Sequence, residues 1–433
     1  MSAIVARRRP FVLRFNLHLV AAAVLTLVGL AVLGSLFARA VTLTRGDFDA
    51  YYAGATALRT GAPMYTDALT WRDAGYSTMF PGPKPIPNSP YVYPPALAVA
   101  LLPLSFLSPY TAGLVWLGLI ALSILGTAYL FARFILPVPR RYVVPTTVCI
   151  GALMALFQPV RTVLSTGQID SVLLLLLTAS LVAFGRRSVW AGVFLAMAVA
   201  IKPTLGVLVL FLLWKRAYRS FAAFVAVSAV LVLPWFLVGL DGIRDYVAVA
   251  AYWSSPTFGV TPVNQAPYGF FLRLFTVNAF TVPIVDVPLV AKVLQLAVIA
   301  VVAVLLALSV RRSEVPMRQL ALEYGLAVIA TLLTGTLSED NHFTYLLLPI
   351  LAAFGVLVFG PRSRASLGLI AALAVVVVYL SQPGLTALDL ANFEFWQGPV
   401  RGARVFLTGA HLYGLLALAA LAFVAARRTR HAS

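Results

Sequence analysis

The sequence predicts an all-α protein that crosses a membrane many times. Three observations predict it. Hydrophobic residues make up 61% of the 433 residues and mean hydropathy is +0.94, beyond the range of soluble domains. Apolar runs long enough to cross a hydrocarbon core of roughly 30 Å recur along the whole chain. Short clusters of Arg and Lys separate them. A spanning segment must satisfy its own backbone hydrogen bonds, so these runs are expected to be helices. The net charge of +18 is distributed among the loops rather than gathered in one patch. That pattern argues for membrane orientation and against a nucleic-acid partner. Cys149 is the only cysteine, which leaves no intrachain disulfide and no cysteine metal site.

The first apolar run begins near Asn16 and ends near Ala40. Arg7, Arg8 and Arg9 precede it, and Ala38-Arg39-Ala40 faintly resembles a cleavage site. At about 20 residues the run is longer than a signal-peptide core, so a retained first span is expected. Basic clusters then mark the cytoplasmic side: Arg14 with the first three arginines, Arg133 with Arg140-Arg141, Arg186-Arg187, Lys215-Arg216 with Arg219, Arg311-Arg312 with Arg318, Arg362 with Arg364, and Arg427-Arg428 with Arg430. The apolar runs between them are 16–40, 111–136, 143–158, 168–184, 188–203, 204–214, 220–239, 287–310, 319–337, 343–360, 365–381 and 403–426. They give about twelve crossings of a plasma membrane with both termini cytoplasmic. Lys202-Pro203 interrupts the fifth and sixth, where proline removes a backbone donor and a lysine at membrane depth needs a partner.

Carboxylates are scarce, 14 in the whole chain, and lopsided. On this topology only Glu314 and Glu323 fall on or near the cytoplasmic side. Three longer external segments, 41–110, 240–286 and 382–402, are expected within a single transmembrane domain. The first opens on Arg45-Gly46-Asp47-Phe48-Asp49-Ala50-Tyr51-Tyr52 and includes Pro81-Gly82-Pro83-Lys84-Pro85-Ile86-Pro87, which cannot be helical. It then enters a short apolar run from Tyr93-Pro94-Pro95 to Leu107, expected to form an interfacial or re-entrant helix. No internal repeat suggests transporter halves.

Five local patterns occur in order. They are Asp47-Phe48-Asp49-Ala50-Tyr51, followed by Ala57-Leu58, Gly61 and Met64-Tyr65; Tyr91-Val92-Tyr93-Pro94-Pro95 with Leu102-Pro103-Leu104; and Gly167-Gln168-Ile169-Asp170 with Lys202-Pro203-Thr204 and Lys215-Arg216. Asn264-Gln265 with Gly269 and Arg273 follows. The last is Ser338-Glu339-Asp340-Asn341-His342 with Tyr345 and Pro349. Together they resemble glycosyltransferase family 87, across nearly the whole chain. The resemblance implies a GT-C-type membrane fold and transfer of a sugar, most simply mannose, from a polyprenyl-phosphate donor to a lipid or glycan acceptor on the extracytoplasmic face. A lipid-linked sugar phosphate requires no nucleotide, and no His/Asp/Glu spacing suggests a metal site, so no cofactor and no metal are expected. Three positions depart from the family pattern: Ala266 after Asn264-Gln265 where Ser is common, Asp170 where Asn is common, and Asn341-His342 where paired histidines are common. They leave donor and acceptor identity open.

A lipid phosphate is already a charged leaving group. The enzyme needs a base for the acceptor hydroxyl and stabilisation of the departing phosphate. The resemblance puts the base on Asp47, with Asp49 as the runner-up; the alternative for either is a helix cap. His342 is expected to donate to the phosphate, helped toward its protonated form by Glu339 and Asp340. Lys202, Arg273 and Arg161 are the candidate phosphate-binding cations, and Lys202 could equally pair with Asp170. Gln168, Asp170, Asn264 and Gln265 suit sugar or acceptor binding, or else satisfy broken-helix backbone. Tyr51 and Tyr93 belong to an aromatic belt or stack on sugar. His18, His411 and His431 read as structural or incidental. Two other classes compete: a GT-C enzyme using another lipid-linked donor, such as an arabinofuranosyltransferase or glycan ligase, and a twelve-span transporter.

Overall fold

The computed structural model describes residues 17–41, 46–74, 89–360, 364–382 and 399–431. Arg7–Arg9, Arg14, Pro81–Pro87, Arg362, Asp389 and Glu394 lie outside them, as do the side chains of His18 and His431. The described residues form an all-α polytopic membrane protein. They contain no strands, and Thr281 and Val400 make an isolated bridge.

The helices follow the apolar runs closely. In order they are α1 Leu17–Val41, α2 Gly46–Thr60, α3 Thr66–Ala74, α4 Pro95–Leu101, α5 Pro109–Leu130, α6 Val143–Leu156, α7 Gln158–Thr166, α8 Asp170–Gly185, α9 Trp190–Ile201 and α10 Val209–Trp214. Then come α11 Tyr218–Leu231, α12 Trp235–Trp253, α13 Pro256–Gly259, α14 Pro267–Phe275, α15 Pro288–Ser309, α16 Met317–Thr334, α17 Leu347–Phe359, α18 Arg364–Leu380 and α19 Ala410–His431. Local chemistry sets many ends. Ser108 caps α5 by accepting from Thr111 N at 3.3 Å, with Pro109 in the first turn, where its missing donor costs nothing. Pro203 stops α9, and Lys202 turns extended before a 3₁₀ stretch, Pro203–Leu208.

Five helices among the described residues are long and apolar enough to cross a membrane, or up to seven if two bent pairs each count as one span. Several of the twelve expected crossings are instead helices of 10–17 residues, such as α8 and α9, shorter than a straight span requires. Their breaks matter more than their number, because they put helix ends inside the protein. Helix also continues past residue 240. The external segment expected to begin there is still helix: α12 runs to Trp253 and kinks at Gly239. The run after Tyr93 forms α4 and a 3₁₀ turn, Leu102–Phe106, with Leu97, Ala98 and Leu101 buried.

The core lies around α16, whose residues 319–333 are all buried. Only 11% of the apolar window of α1 and of α15 is covered by protein, against 78% for Asp340–Phe359, so α1 and α15 are peripheral. Helices approach closely where a side chain is absent. A Cβ on Gly192 of α9 would stand 1.8 Å from Ser220 O of α11, so that crossing requires glycine.

Candidate active site

Three helix breaks meet at one recess. The first is the α7–α8 junction. Gly167 ends α7 at φ 75°, a left-handed conformation that glycine adopts without a side-chain penalty. Its carbonyl accepts from Trp116 Nε1 at 2.7 Å, Phe48 stacks on Trp116 at 5.9 Å, and a Cβ on Gly167 would stand 2.8 Å from Phe48 Cβ. This clamp seats the first turn of α2 against the junction and brings Asp47 beside Thr166 and Gln168. Their side chains and that of Ser89 approach the Asp47 carboxylate and counter the effect of its burial. Burial raises the Asp47 carboxyl above its ordinary value, and the nearby Asp170 charge adds to this against those donors. Such a group holds a proton more readily than a free aspartate.

Tyr51 lies one turn along α2 from Asp47, on the same face. Its hydroxyl donates to Gln168 Oε1 at 2.7 Å, and Tyr93 donates to the same oxygen at 3.1 Å. Tyr51 also receives the Ile169 N–H at 3.3 Å. Tyr51 is fully buried while Tyr93 is half-buried at the recess. Asp49 is two residues from Asp47, a rotation of about 200° around the helix, so it does not share that face.

The second break is Lys202, and the third is the segment before α17. Both converge on Asp170, in the first turn of α8 and fully buried. Lys202 Nζ donates to Asp170 Oδ1 at 2.9 Å, Asn341 Nδ2 to Oδ2 at 2.9 Å, and the Tyr345 hydroxyl to Oδ1. Buried charges persist when paired and hydrogen-bonded in this way. Lys202 keeps a side-chain exposure of 12%.

The third segment is a 3₁₀ stretch, Asp340–Leu346, opened by Glu339 in a reciprocal cap with His342. Glu339 N donates to His342 Nδ1 at 3.2 Å, and the Glu339 carboxylate stands 4.0 Å from Nε2. This revises the expectation for His342. With Nδ1 accepting, the ring is the neutral tautomer with its proton on Nε2, not an imidazolium formed by neighbouring acids. The ring stacks on Tyr345 at 6.3 Å. The Glu339 carboxyl is pushed up to about 7, by burial first and then by Asp47, Asp170 and Asp340, against Lys202.

Sequence reasoning missed Glu339 as a site residue in its own right. His411, read as structural or incidental, is buried with its Nδ1 2.6 Å from Asp340 Oδ1. The only sequence signal was the acidic Ser338–His342 run. The pairing of His411 with Asp340, 71 positions away, had none.

Other expected site residues stand elsewhere. Asn264 donates to Gly259 O and Thr336 O, and its Oδ1 accepts the N–H groups of Ala266 and Ser338. Gln265 donates to Pro262 O and Thr408 O. Arg273 is fully buried; its guanidinium donates to Thr261 O at 2.8 Å, Asn264 O at 3.0 Å and Thr408 Oγ1 at 3.0 Å. These three residues hold loop backbone behind Ser338, and the guanidinium is enclosed by carbonyls rather than presented to the recess. Arg161, half-buried on α7, makes no hydrogen bond or ion pair through its side chain among the described residues.

The glycosyltransferase family 87 model matches residues 91–335, more than half of the chain. The chain belongs to glycosyltransferase family 87. The match takes in Tyr93, Arg161, Gln168, Asp170, Lys202, Asn264, Gln265 and Arg273; Asp47 and the Glu339–His342 segment lie outside it. Two curated relatives are named polyprenol-phosphate-mannose-dependent alpha-(1-2)-phosphatidylinositol mannoside mannosyltransferase. The protein from Mycolicibacterium smegmatis is 26% identical over 213 residues, 47% of this chain and 46% of the relative. The one from Mycobacterium tuberculosis is 28% identical over 220 residues, 47% of each chain. The chain thus matches about half the length of these relatives. No solved structure matches it.

Proposed function

We propose that this family 87 protein is a GT-C-type membrane glycosyltransferase that moves mannose from a polyprenyl phosphate to a hydroxyl of a lipid or glycan acceptor. The observation that carries this reading is the Asp47 carboxylate, half-buried and raised by burial, facing a recess lined by Lys202, Glu339 and His342. The family and the names of the relatives support donor and sugar class.

In the proposed reaction the acceptor oxygen attacks the anomeric carbon as the carbon–oxygen bond to the lipid phosphate breaks. Asp47 takes the hydroxyl proton, and the configuration inverts. The departing phosphate gains a negative charge, which Lys202 and the His342 Nε2–H stabilise, with Arg161 on α7 as a further candidate cation. Gln168, Tyr51 and Tyr93 orient the base and border the sugar. The structure favours Glu339 over Asp49 as the second candidate base, because Glu339 acts electrostatically with Asp47 whereas Asp49 lies on another face of α2.

Orientation follows from helix direction. α8 runs from Asp170 to Gly185 beside Arg186-Arg187, and α16 runs from Met317, beside Arg318, toward Ser338. The Asp170 and Ser338 ends of these helices therefore lie opposite their basic ends, and the positive-inside rule supports a site at the extracytoplasmic face of the plasma membrane. Membranes expressing the chain should transfer label from radiolabelled polyprenyl-phosphate mannose to endogenous lipid or glycan. Transfer from a different polyprenyl-phosphate sugar and none from mannose would overturn the donor assignment.

A further inference from the structure

The far end of the bundle contains a second polar site that glycosyl transfer does not use. It lies between the C-terminal ends of α8 and α10 and the starts of α11 and α16. The 16 residues of α8 separate it from Asp170, a rise of about 24 Å. A cavity of about 310 Å³ opens there. Arg187, Lys215, Arg216, Arg219 and Arg312 line it, with Glu314 as the acid in its wall.

Two of these cations are paired. Lys215 donates to buried Glu323 at 2.5 Å, beneath the cavity, and Glu323 also accepts from Gln319. Arg187 pairs with Glu314, both more than three-quarters exposed, and such exposed pairs are weak. Arg216, Arg219 and Arg312 have no carboxylate partner among the described residues. Arg312 is nonetheless held in place, its guanidinium 4.4 Å over the Trp214 ring, whose Nε1 donates to Val310 O.

The backbone adds an independent observation. Among the described residues, Arg187 at φ 55° and Arg216 at φ 56° are the non-glycine residues with positive φ. Both follow a helix end, where this conformation is usually given to glycine or asparagine. At both places an arginine occupies it, and both border the same cavity. Positive-inside topology accounts for basic loops, but not for arginines in disfavoured backbone around one concave site.

We propose that this cavity binds a phosphate group through Arg216, Arg219 and Arg312, with Arg187 released from Glu314 as it enters. Several guanidinium forks facing one space match the geometry of phosphate oxygens. The source favoured is the headgroup of an anionic phospholipid. The cavity sits at the ends of membrane helices and is lined in part by Tyr218 at 63% exposure, an aromatic of the kind that sits at headgroup level.

The full chain in detergent can test this by native mass spectrometry and thermal melting. The probes are phosphatidylglycerol, phosphatidylcholine and inorganic pyrophosphate. The wild type should retain phosphatidylglycerol at least about tenfold better than phosphatidylcholine, as expected for charge-assisted bonds. The Arg216→Gln/Arg219→Gln/Arg312→Gln variant should lose that preference while melting normally in phosphatidylcholine. Arg219→Gln alone, on an exposed helix start, supplies a smaller loss should the triple variant not fold. Binding of pyrophosphate without lipid preference, lost in the same variants, would support the phosphate site and assign it to a soluble ligand. An equal loss of preference in Arg140→Gln/Arg141→Gln, outside the cavity, would overturn the proposal, as would a wild type that binds neither phosphatidylglycerol preferentially nor pyrophosphate.

Discussion

The recess around Asp47 and the buried patch around Arg273 are both polar islands in an apolar chain, and both were expected to bind substrate. In the recess, side chains meet side chains: Lys202 with Asp170, Tyr51 and Tyr93 with Gln168, Glu339 near His342. In the patch, side chains meet backbone: Arg273, Asn264 and Gln265 donate to carbonyls of residues 259–264, 336 and 408. A broken helix in a membrane leaves backbone groups that something must satisfy. The patch does that work and fixes the loop behind Ser338. The recess keeps charged groups partly exposed, as chemistry on a substrate requires.

The largest expected effect is at Asp170. Asp170→Ala leaves Lys202 without its counter-charge and strips the acceptor from Asn341 and Tyr345. Breaking one partner of a buried pair costs about 3–5 kcal/mol, visible as a lower melting temperature together with lost transfer. Removing both charges with Asp170→Asn and Lys202→Met should restore much of the stability and none of the activity. A fully stable, active Asp170→Ala protein would dissolve the proposed site.

His342→Ala and Arg161→Gln come next. Each should lower turnover about ten- to a hundredfold, the worth of a charge-assisted hydrogen bond of about 1.5–3 kcal/mol in the transition state, with melting unchanged. If both retained wild-type kinetics, the phosphate would have to be held elsewhere.

Asn264→Ala should show the reverse. Loss of its four backbone bonds leaves buried groups unpaired, for a stability loss of about 1–3 kcal/mol. The folded fraction should keep kcat/KM within about threefold, less than 1 kcal/mol of barrier. An Asn264→Ala protein that melts normally but fails to transfer would break the contrast between patch and recess.

The helix break at Lys202-Pro203 was legible in the sequence because proline chemistry is local, and Pro203 does start a 3₁₀ stretch. The Lys202–Asp170 pair was legible as one of two options, since a lysine beside a helix break needs a partner. What a buried polar residue touches was not legible. Nothing near Arg273 in sequence announces a cage of carbonyls, and nothing near His411 announces Asp340. Other helix breaks were less legible, because hydropathy registers an apolar run but not how sharply the chain bends after it, as between α6 and α7, which bend by 79°. That residues 240–253 are helical was not legible either, since Asp241 and Asp245 read as loop residues while α12 continues past them.

A smaller effect is carried by pH. The Glu339 carboxyl is raised from an ordinary 4.5 to about 7, so the folded state holds a proton that the unfolded state has released. Stability should be fully present below about pH 4.5 and decline as pH rises through 7. Glu339→Gln should flatten that part of a melting-temperature profile; an unchanged slope would mean that Glu339 titrates normally.

The central claim is that Asp47 accepts the acceptor's proton while other groups hold the donor. Asp47→Asn keeps the side chain's size but cannot take a proton at that position. Donor binding and transfer measured side by side on this variant test the claim most directly. The account predicts near-normal affinity for the polyprenyl-phosphate sugar and a transfer rate lower by about 10²–10⁴-fold, the usual contribution of a general base. A folded Asp47→Asn protein that binds donor and transfers at the wild-type rate would contradict it.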